Sequence, residues 1–195
     1  MYRADEPAGP EPVIAIAGGG ASGTLAAIYL LREAASRRTP LRIALIDRHG
    51  RHGLGQPYST THPAHLLNSP AATMSALAGD PGHLTRWAAE AGLAHDGFLP
   101  RRDYGRYLSE TLAAAERQAR PTARVSRITA EVVAIRRCGQ GPAPGPGRAL
   151  RLHLAADGRI DADAVVLATG NLPPAAPCPV PRERYIADPW EPGAL

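Results

Sequence analysis

The chain has 195 residues, 44% of them hydrophobic and 21% charged, which suits one globular domain with a substantial core and excludes a disordered or fibrous segment. All 22 basic residues are Arg, interspersed with 18 Asp and Glu, so the net charge of +4 is scattered; nucleic-acid binding needs basic side chains gathered on one face and is not expected. No apolar run approaches the roughly 20 residues that span a bilayer, and Met1 to Pro12 is acidic and Pro-rich rather than a signal peptide, so the sequence predicts a cytoplasmic protein without a membrane partner, Cys138 and Cys178 being reduced thiols.

Val13 to Ala17 is a short apolar run without alternation, as in a buried parallel strand. It leads directly into Gly18-Gly19-Gly20-Ala21-Ser22-Gly23. A helical pattern follows from Ser22 to Arg37, with Leu25, Ile28, Leu31 and Ala35 on one face. Leu41 to Ile46 is again strand-like and ends at Asp47, 24 residues after Gly23. A GxGxxG alone is a weak signal; between a strand and a helix, with an acid closing the next strand, it is a dinucleotide-binding pattern. Gly18 permits the tight turn, Gly20 leaves the backbone open to a pyrophosphate, and Gly23 lets helix and strand approach. The helix N-terminus, at Ala21 and Ser22, offers N–H groups and a partial positive charge to phosphates. Asp47 can accept hydrogen bonds from a ribose, and its charge disfavours a 2′-phosphate; Arg48 follows it as a further candidate contact.

The remainder of the chain bears on which dinucleotide is bound. Arg48 to Gly55 reads as a loop with a second glycine pair, Gly53 and Gly55. Gln56 to Ala72 is a long irregular stretch, suited to wrapping a cofactor larger than a mononucleotide. Pro81 to Ala91 is predicted helical, with Asp80 as its cap and Pro81 in the first position. Arg102 to Arg120 is a longer helix on which Arg102 and Arg106, one turn apart, can reach a pyrophosphate. Val125 to Arg137 holds one or two strands, with Val133 a candidate contact. Gly139 to Gly147 is a Gly/Pro loop. Leu150 to Leu154 and Arg159 to Ala162 are strands joined by a tight turn at Asp157-Gly158. Ala164 to Ala168 is a buried strand, and the Thr169-Gly170 turn at its end can pack against a cofactor. His62 and His65 lack a third partner, so no metal site is expected.

In its order of elements and in several motifs the chain resembles the N-terminal part of bacterial FAD/NAD(P)-binding proteins, a family that includes flavin-dependent urate hydroxylase-like and aspartate N-monooxygenase-like enzymes. The motifs that carry the resemblance are Ile14 to Gly23, Gly53-Leu54-Gly55-Gln56-Pro57-Tyr58-Ser59, His65-Leu66-Leu67-Asn68-Ser69-Pro70-Ala71, Arg101 to Leu108, Val166 to Asn171 and Asp188-Pro189-Trp190. The resemblance implies an α/β fold: a Rossmann-like three-layer FAD-binding domain of glutathione-reductase type, with a small antiparallel β unit and a helical insertion. It also implies that Asn68 approaches the flavin or its ribityl chain.

The expected contacts to FAD are therefore Gly18, Gly20, Ala21, Ser22, Gly23, Asp47, Arg48, Gly55, Asn68, Arg102, Arg106, Val133, Thr169 and Gly170. No residue stands out as a catalytic acid or base. The expected organisation is a disordered segment over residues 1–12, the FAD/NAD(P)-binding domain over 13–175 and a Pro-rich irregular tail over 176–195. Members of the family are longer and carry a second Gly-rich fingerprint for NAD(P)H, which this sequence lacks. It therefore reads as the first part of an NAD(P)H-dependent, monooxygenase-like flavoprotein, incomplete as a catalyst alone. NAD(P)H would bind only where a further domain exists, and the substrate is a small molecule that these residues do not identify. The alternatives are a non-catalytic FAD-binding remnant and a plain NAD-dependent dehydrogenase domain; the Gln56–Ala72 stretch and the Ala168-Thr169-Gly170 strand end count against the latter.

Overall fold

The strand Val13–Ala17 (β1) is buried along nearly its whole length, and its side chains divide by parity. Ile16 joins one core cluster, while Val13 and Ala15 join another. The strand Leu41–Asp47 (β2) does the same: Ile43 and Leu45 go to the first cluster, Ala44 and Ile46 to the second. Side chains alternate across a strand, so two clusters mean that the sheet is covered on both faces. That is why these strands read as continuous apolar runs.

The computed structural model describes residues 11–93, 96–138, 149–171 and Ile186. The expectations for residues 1–10, for Gly139 to Gly147, for Cys178 and for Asp188-Pro189-Trp190 lie outside the described residues, as does the predicted tail apart from Ile186.

β1 pairs in parallel with β2 on one side and with Ala164–Leu167 (β7) on the other, and β2 pairs in parallel with Ala123–Thr129 (β3). The order is β3-β2-β1-β7. Helix α1, Ala21–Arg37, connects β1 to β2 and packs Ala27, Ile28, Leu31 and Ala34 onto one face. It stops at Arg38, which takes a left-handed conformation (φ 53°) where glycine is the usual choice. The N–H groups of Arg38 and Thr39 close on Ala35 O and Ala34 O. The opposite face carries a second, antiparallel sheet, Val132–Arg137 (β4), Leu150–Leu154 (β5) and Arg159–Ala162 (β6), in the order β4-β5-β6. Small Ala15, Ala44 and Ala162 let the two sheets close over Leu152 and Ile46. Arg151 and Asp161, directly opposite on β5 and β6, form a bidentate ion pair at 2.7 and 2.9 Å. The layers are thus helix, parallel sheet, antiparallel sheet: a mixed α/β architecture.

A helical insertion lies between β2 and β3. It contains the single turn Gly55–Tyr58 (α2), His83–Glu90 (α3) and Arg101–Ala119 (α4). α4 faces two ways along its length. Its later residues Leu112, Ala115 and Ala119 enter the cluster under α1, while Tyr104, Tyr107 and Leu108 hold a second small core with Leu67, Ala71, Leu84, Ala88 and Leu99. No helix among the described residues is long and apolar enough to cross a membrane.

Several local expectations are corrected. The helix predicted over Pro81 to Ala91 begins at His83, with Gly82 in the capping position and no side-chain cap. Asp80 turns its carboxylate to Arg86 instead, because Pro81-Gly82 forms a turn that carries Asp80 out of capping range. The one or two strands expected over Val125 to Arg137 are two, and they lie in different sheets: the chain leaves the parallel sheet after Thr129 and enters the antiparallel one at Val132. In the β5–β6 turn the left-handed residues are Ala156 and Asp157, while Gly158 is extended. Gln56 to Ala72 is less irregular than expected, with α2 at its start and a 3₁₀ turn at Ala71–Thr73.

Leu31 has no exposed surface and stands between α1 and the parallel sheet. Leu31→Ala should lower stability by about 2–5 kcal/mol in urea denaturation, and a loss below about 1 kcal/mol would contradict this packing.

Candidate cofactor site

The carboxyl ends of β1, β2 and β7 meet at one edge of the parallel sheet, and the glycine turn is built there. The Gly18 N–H donates to Ile46 O at 2.9 Å, which ties the turn to the end of β2. On the other side Ala168 N–H donates to Ala17 O at 2.9 Å, which brings the end of β7 alongside. Gly18 has φ +116°, and a Cβ there would stand 2.0 Å from Ala168 O, so both conformation and space require glycine. A Cβ on Gly23 would stand 1.9 Å from Gly18 O and 3.2 Å from Ile16 Cγ2. Helix α1 therefore lies against its own approach strand as closely as backbone permits.

Gly20 is the capping residue of α1, and no side chain caps the helix. The N–H groups of its first turn are the ones an α-helix leaves without intrahelical partners, and they carry the positive end of the dipole. Behind the turn Thr24, fully buried, donates its hydroxyl to Gly19 O at 3.3 Å. In front, the segment after β2 folds back over the glycines. Gly53 N–H donates to Gly19 O at 2.8 Å, and a Cβ on Gly55 (φ +57°) would stand 3.0 Å from Gly20 Cα.

Asp47 ends β2 beside this turn. Its Oδ1 accepts two backbone N–H groups, from His49 at 2.9 Å and from Arg51 at 3.0 Å. Oδ2 makes no hydrogen bond to the described residues and remains available to a ligand hydroxyl.

The structure brings Gly18, Gly20, Ala21, Ser22, Gly23, Asp47, Gly55 and the Thr169 backbone to one place. The Thr169 nitrogen would lie 3.3 Å from a Cβ on Gly18. Thr169 and Gly170 are exposed at the end of β7, with Gly170 at φ +70°. Arg48 is exposed just beyond Asp47. Arg102 binds the Thr61 carbonyl through Nη1 at 3.2 Å and helps moor the 59–66 stretch to α4, alongside Arg101, whose Nε donates to Leu66 O at 2.9 Å. Asn68 is exposed one residue beyond Leu67, whose N–H donates to Leu99 O at 2.8 Å. Asn68, Arg102, Arg106 and Val133 form no hydrogen bond with this cluster among the described residues. Arg106 pairs with Glu110 at 2.9 Å and lies 5.1 Å over the Trp87 ring, on the α3 side of α4. Val133, 61% exposed, sits at an irregularity in the β4–β5 pairing.

Sequence reasoning missed Gly19 and Gly105. A Cβ on Gly19 would stand 2.7 Å from Asp47 Cβ, so glycine there lets the acid approach the turn. A Cβ on Gly105 would stand 2.5 Å from Leu54 Cδ2 and 3.0 Å from Tyr58 O, so Gly105 seats α2 on α4. A glycine inside a strong helical pattern costs about 1 kcal/mol against alanine, and that cost was the available signal. Among the described residues no three of His, Cys, Asp and Glu converge to hold a metal.

This geometry, a parallel sheet with a glycine turn and an uncapped helix N-terminus at the carboxyl ends of its strands, defines a dinucleotide-binding class. A family model described as FAD-NAD(P)-binding matches residues 15–172, and the chain belongs to that family. Its fold is similar to a lysine monooxygenase from Nocardia farcinica, with TM-score 0.50 and 16% identity over 84% of this chain and 55% of that one. It is similar in the same way to L-lysine 6-monooxygenase from Pseudomonas syringae, with TM-score 0.50 and 15% identity over 86% of this chain and 39% of that one. At such identity the likeness is one of fold, and this chain spans about half or less of those proteins. No protein with a curated description matches it.

Gly23→Ala should force α1 off β1 and destabilise the chain by about 1–3 kcal/mol or more, measured by urea denaturation; an unchanged midpoint would contradict the close approach. At Asp47 the turn and the charge separate. Asp47→Asn keeps an acceptor for His49 and Arg51 and should stay within about 1 kcal/mol of the parent, whereas Asp47→Ala should lose about 1–3 kcal/mol. Equal losses in both thermal denaturation curves would show that the two hydrogen bonds do not matter.

Proposed function

We propose that this chain is the FAD-binding domain, of glutathione-reductase type, of a flavin-dependent oxidoreductase resembling the NAD(P)H-dependent monooxygenases. One observation carries the reading: an uncapped α1 N-terminus, stripped of side chains at Gly20, next to an Asp47 carboxylate with one oxygen unengaged. Those groups fit the two ends of an ADP moiety. The first-turn N–H groups at Ala21, Ser22 and Gly23 would hold the pyrophosphate, and Asp47 Oδ2 the ribose hydroxyls. Thr169 and Gly170 at the end of β7, Gly55, Asn68 in the 59–70 stretch and Arg48 are assigned to the same cofactor. Arg102, already positioned by the Thr61 carbonyl, is the better candidate for phosphate; Arg106, occupied by Glu110 and Trp87, is assigned to the helical insertion, and Val133 to the adenine end. The antiparallel sheet inserted between β3 and β7 is what supports the glutathione-reductase type over a plain nicotinamide domain.

A bound flavin would supply hydride acceptance and oxygen chemistry, with the protein providing placement and electrostatics. What these residues do is hold and orient. The glycine turn would bind phosphate without a competing side chain, Asp47 would fix the ribose, and the 53–66 stretch, moored by Arg101, Arg102 and Gly105, borders the site on one side. The domain is assigned to residues 13–175, and the nicotinamide and substrate sites to parts of a longer protein outside this span.

Adding FAD to the purified chain should quench flavin fluorescence and raise the melting temperature, with about 2.7 kcal/mol of stabilisation at a hundred times Kd. Stabilisation by NAD but not by FAD would favour a plain dehydrogenase domain and overturn the reading. Consumption of NADPH by this chain alone would overturn the placement of the nicotinamide site elsewhere.

A further inference from the structure

A hollow lies between the two sheets, away from the glycine turn. Side chains alternate across a strand, so residues paired between parallel neighbours share a face. On the face that meets the antiparallel sheet, Val13, Arg42 and Arg124 make one row, and Ala15, Ala44 and Ser126 the next. The side chains of the second row are short. A cavity of about 250 Å³ lies beside Ala44 and Ser126, bounded on its other side by β6. Ile128 and Ile160 give it an apolar wall, and Arg42 and Arg159 stand at its margin. It sits toward the starting ends of β1 and β2, whereas the glycine turn is built at their carboxyl ends.

The acids nearby are already engaged. Glu11 pairs with Arg124, and Asp161 accepts both Nε and Nη2 of Arg151 at 2.7 and 2.9 Å. Asp163 receives the Val13 N–H at 2.7 Å. Arg42 and Arg159 have no hydrogen bond or ion pair with any described residue, and the Ser126 hydroxyl has none either. Two unpaired guanidiniums and a free hydroxyl thus line one hollow that has hydrocarbon on its wall. Small-molecule sites combine features in this way: apolar lining for the body of a ligand, and a few polar groups that orient it. A guanidinium matches a carboxylate in both charge and fork geometry. A bare hydrated anion would leave Ile128 and Ile160 against water, so the cavity favours an anion that carries hydrocarbon.

We propose that this inter-sheet cavity binds a small organic carboxylate. Arg42 and Arg159 hold the carboxylate, Ser126 is a further donor, and the apolar body lies against Ile128 and Ile160. The site is separate from the cofactor cradle and stands whether or not FAD binds there. Its occupant touches β2, β3 and β6, so it ties the antiparallel sheet to the parallel one.

The test uses the whole chain with its isoleucine methyl groups labelled with carbon-13. It is titrated at constant ionic strength with benzoate, benzamide and inorganic phosphate. Benzoate should shift the Ile128 and Ile160 methyl signals to saturation and raise the melting temperature. Benzamide keeps the ring without the charge, and phosphate keeps charge without the ring. Each should bind about tenfold or more weakly, the scale of one lost charge-assisted hydrogen bond. Arg42→Gln and Arg159→Gln should each weaken benzoate by about tenfold. Both should melt at the parental temperature without ligand, because both side chains are exposed and unpaired. A benzoate response that does not saturate overturns the site, as does parental benzoate affinity in either variant. Benzamide or phosphate binding as tightly as benzoate overturns the ligand class. Saturating shifts at Ile16, beside Gly23, in place of Ile128 and Ile160 would put the anion at the glycine turn and overturn the site likewise.

Discussion

Where β1 ends, backbones crowd into a space that admits no side chain at Gly18, Gly19 or Gly23. Gly18 lies against the carbonyl of Ala168, and Gly23 against the carbonyl of Gly18. Gly20 lies against Gly55, and Gly19 against the Cβ of Asp47. Each contact is local, but together they set the rest of the molecule. The closeness at Gly23 fixes the angle at which α1 leaves the sheet, and so where its uncapped N–H groups point. The closeness at Gly18 fixes β7 as the neighbour of β1, which places Thr169 and Gly170 beside the turn. The closeness at Gly20 draws the segment after β2 back across the opening.

That returning segment depends in turn on the helical insertion. Gly53 is pressed on Ser109 and Leu54 on Gly105, both on α4, while Arg101 and Arg102 take carbonyls of the stretch that follows. α4 can seat this loop because its other residues are anchored in two separate cores. The site is therefore supported from two directions: below by the parallel sheet and above by a helix inserted between two of its strands. The antiparallel sheet contributes differently. It buries the far face of the parallel strands, and Asp163, where β6 gives way to β7, binds the Val13 N–H at 2.7 Å and so fixes the start of β1.

The polar side chains of the insertion are arranged with unusual economy for a packed aromatic core. His83, Glu110 and Arg106 each meet an aromatic partner through a hydrogen bond or over a ring face, and no buried side-chain polar atom among the described residues lacks a partner. Satisfied networks of this kind rigidify what they touch. Here they hold α3 to α4 and thereby hold the wall on which the loop over the glycine turn is seated.

Much of this was legible in the sequence because it is written in short-range patterns. The βαβ unit, the glycine roles at Gly18 and Gly23, the strand ends at Asp47 and Ala168 and the helical character of the insertion follow from periodicity, spacing and steric need, all of which act within a few residues. What the sequence could not supply are choices between equally good local options. Val125 to Arg137 is strand-like throughout, and only the two faces of the sheet decide that it changes sheet after Thr129. Asp80 suits a helix cap, yet Arg86 offers its carboxylate a charged partner. Arg102 and Arg106 are one turn apart and alike in sequence; the placement of α3 gives Arg106 to Glu110 and Trp87, and the path of the 59–66 stretch gives Arg102 to a carbonyl. The sequence by itself determined a dinucleotide-binding α/β domain with its glycine turn and acid, since backbone crowding leaves few residue types that fit. The tertiary structure alone decided which charged and aromatic side chains face that turn and which face each other, because those contacts join residues far apart in the chain and depend on how separate elements pack.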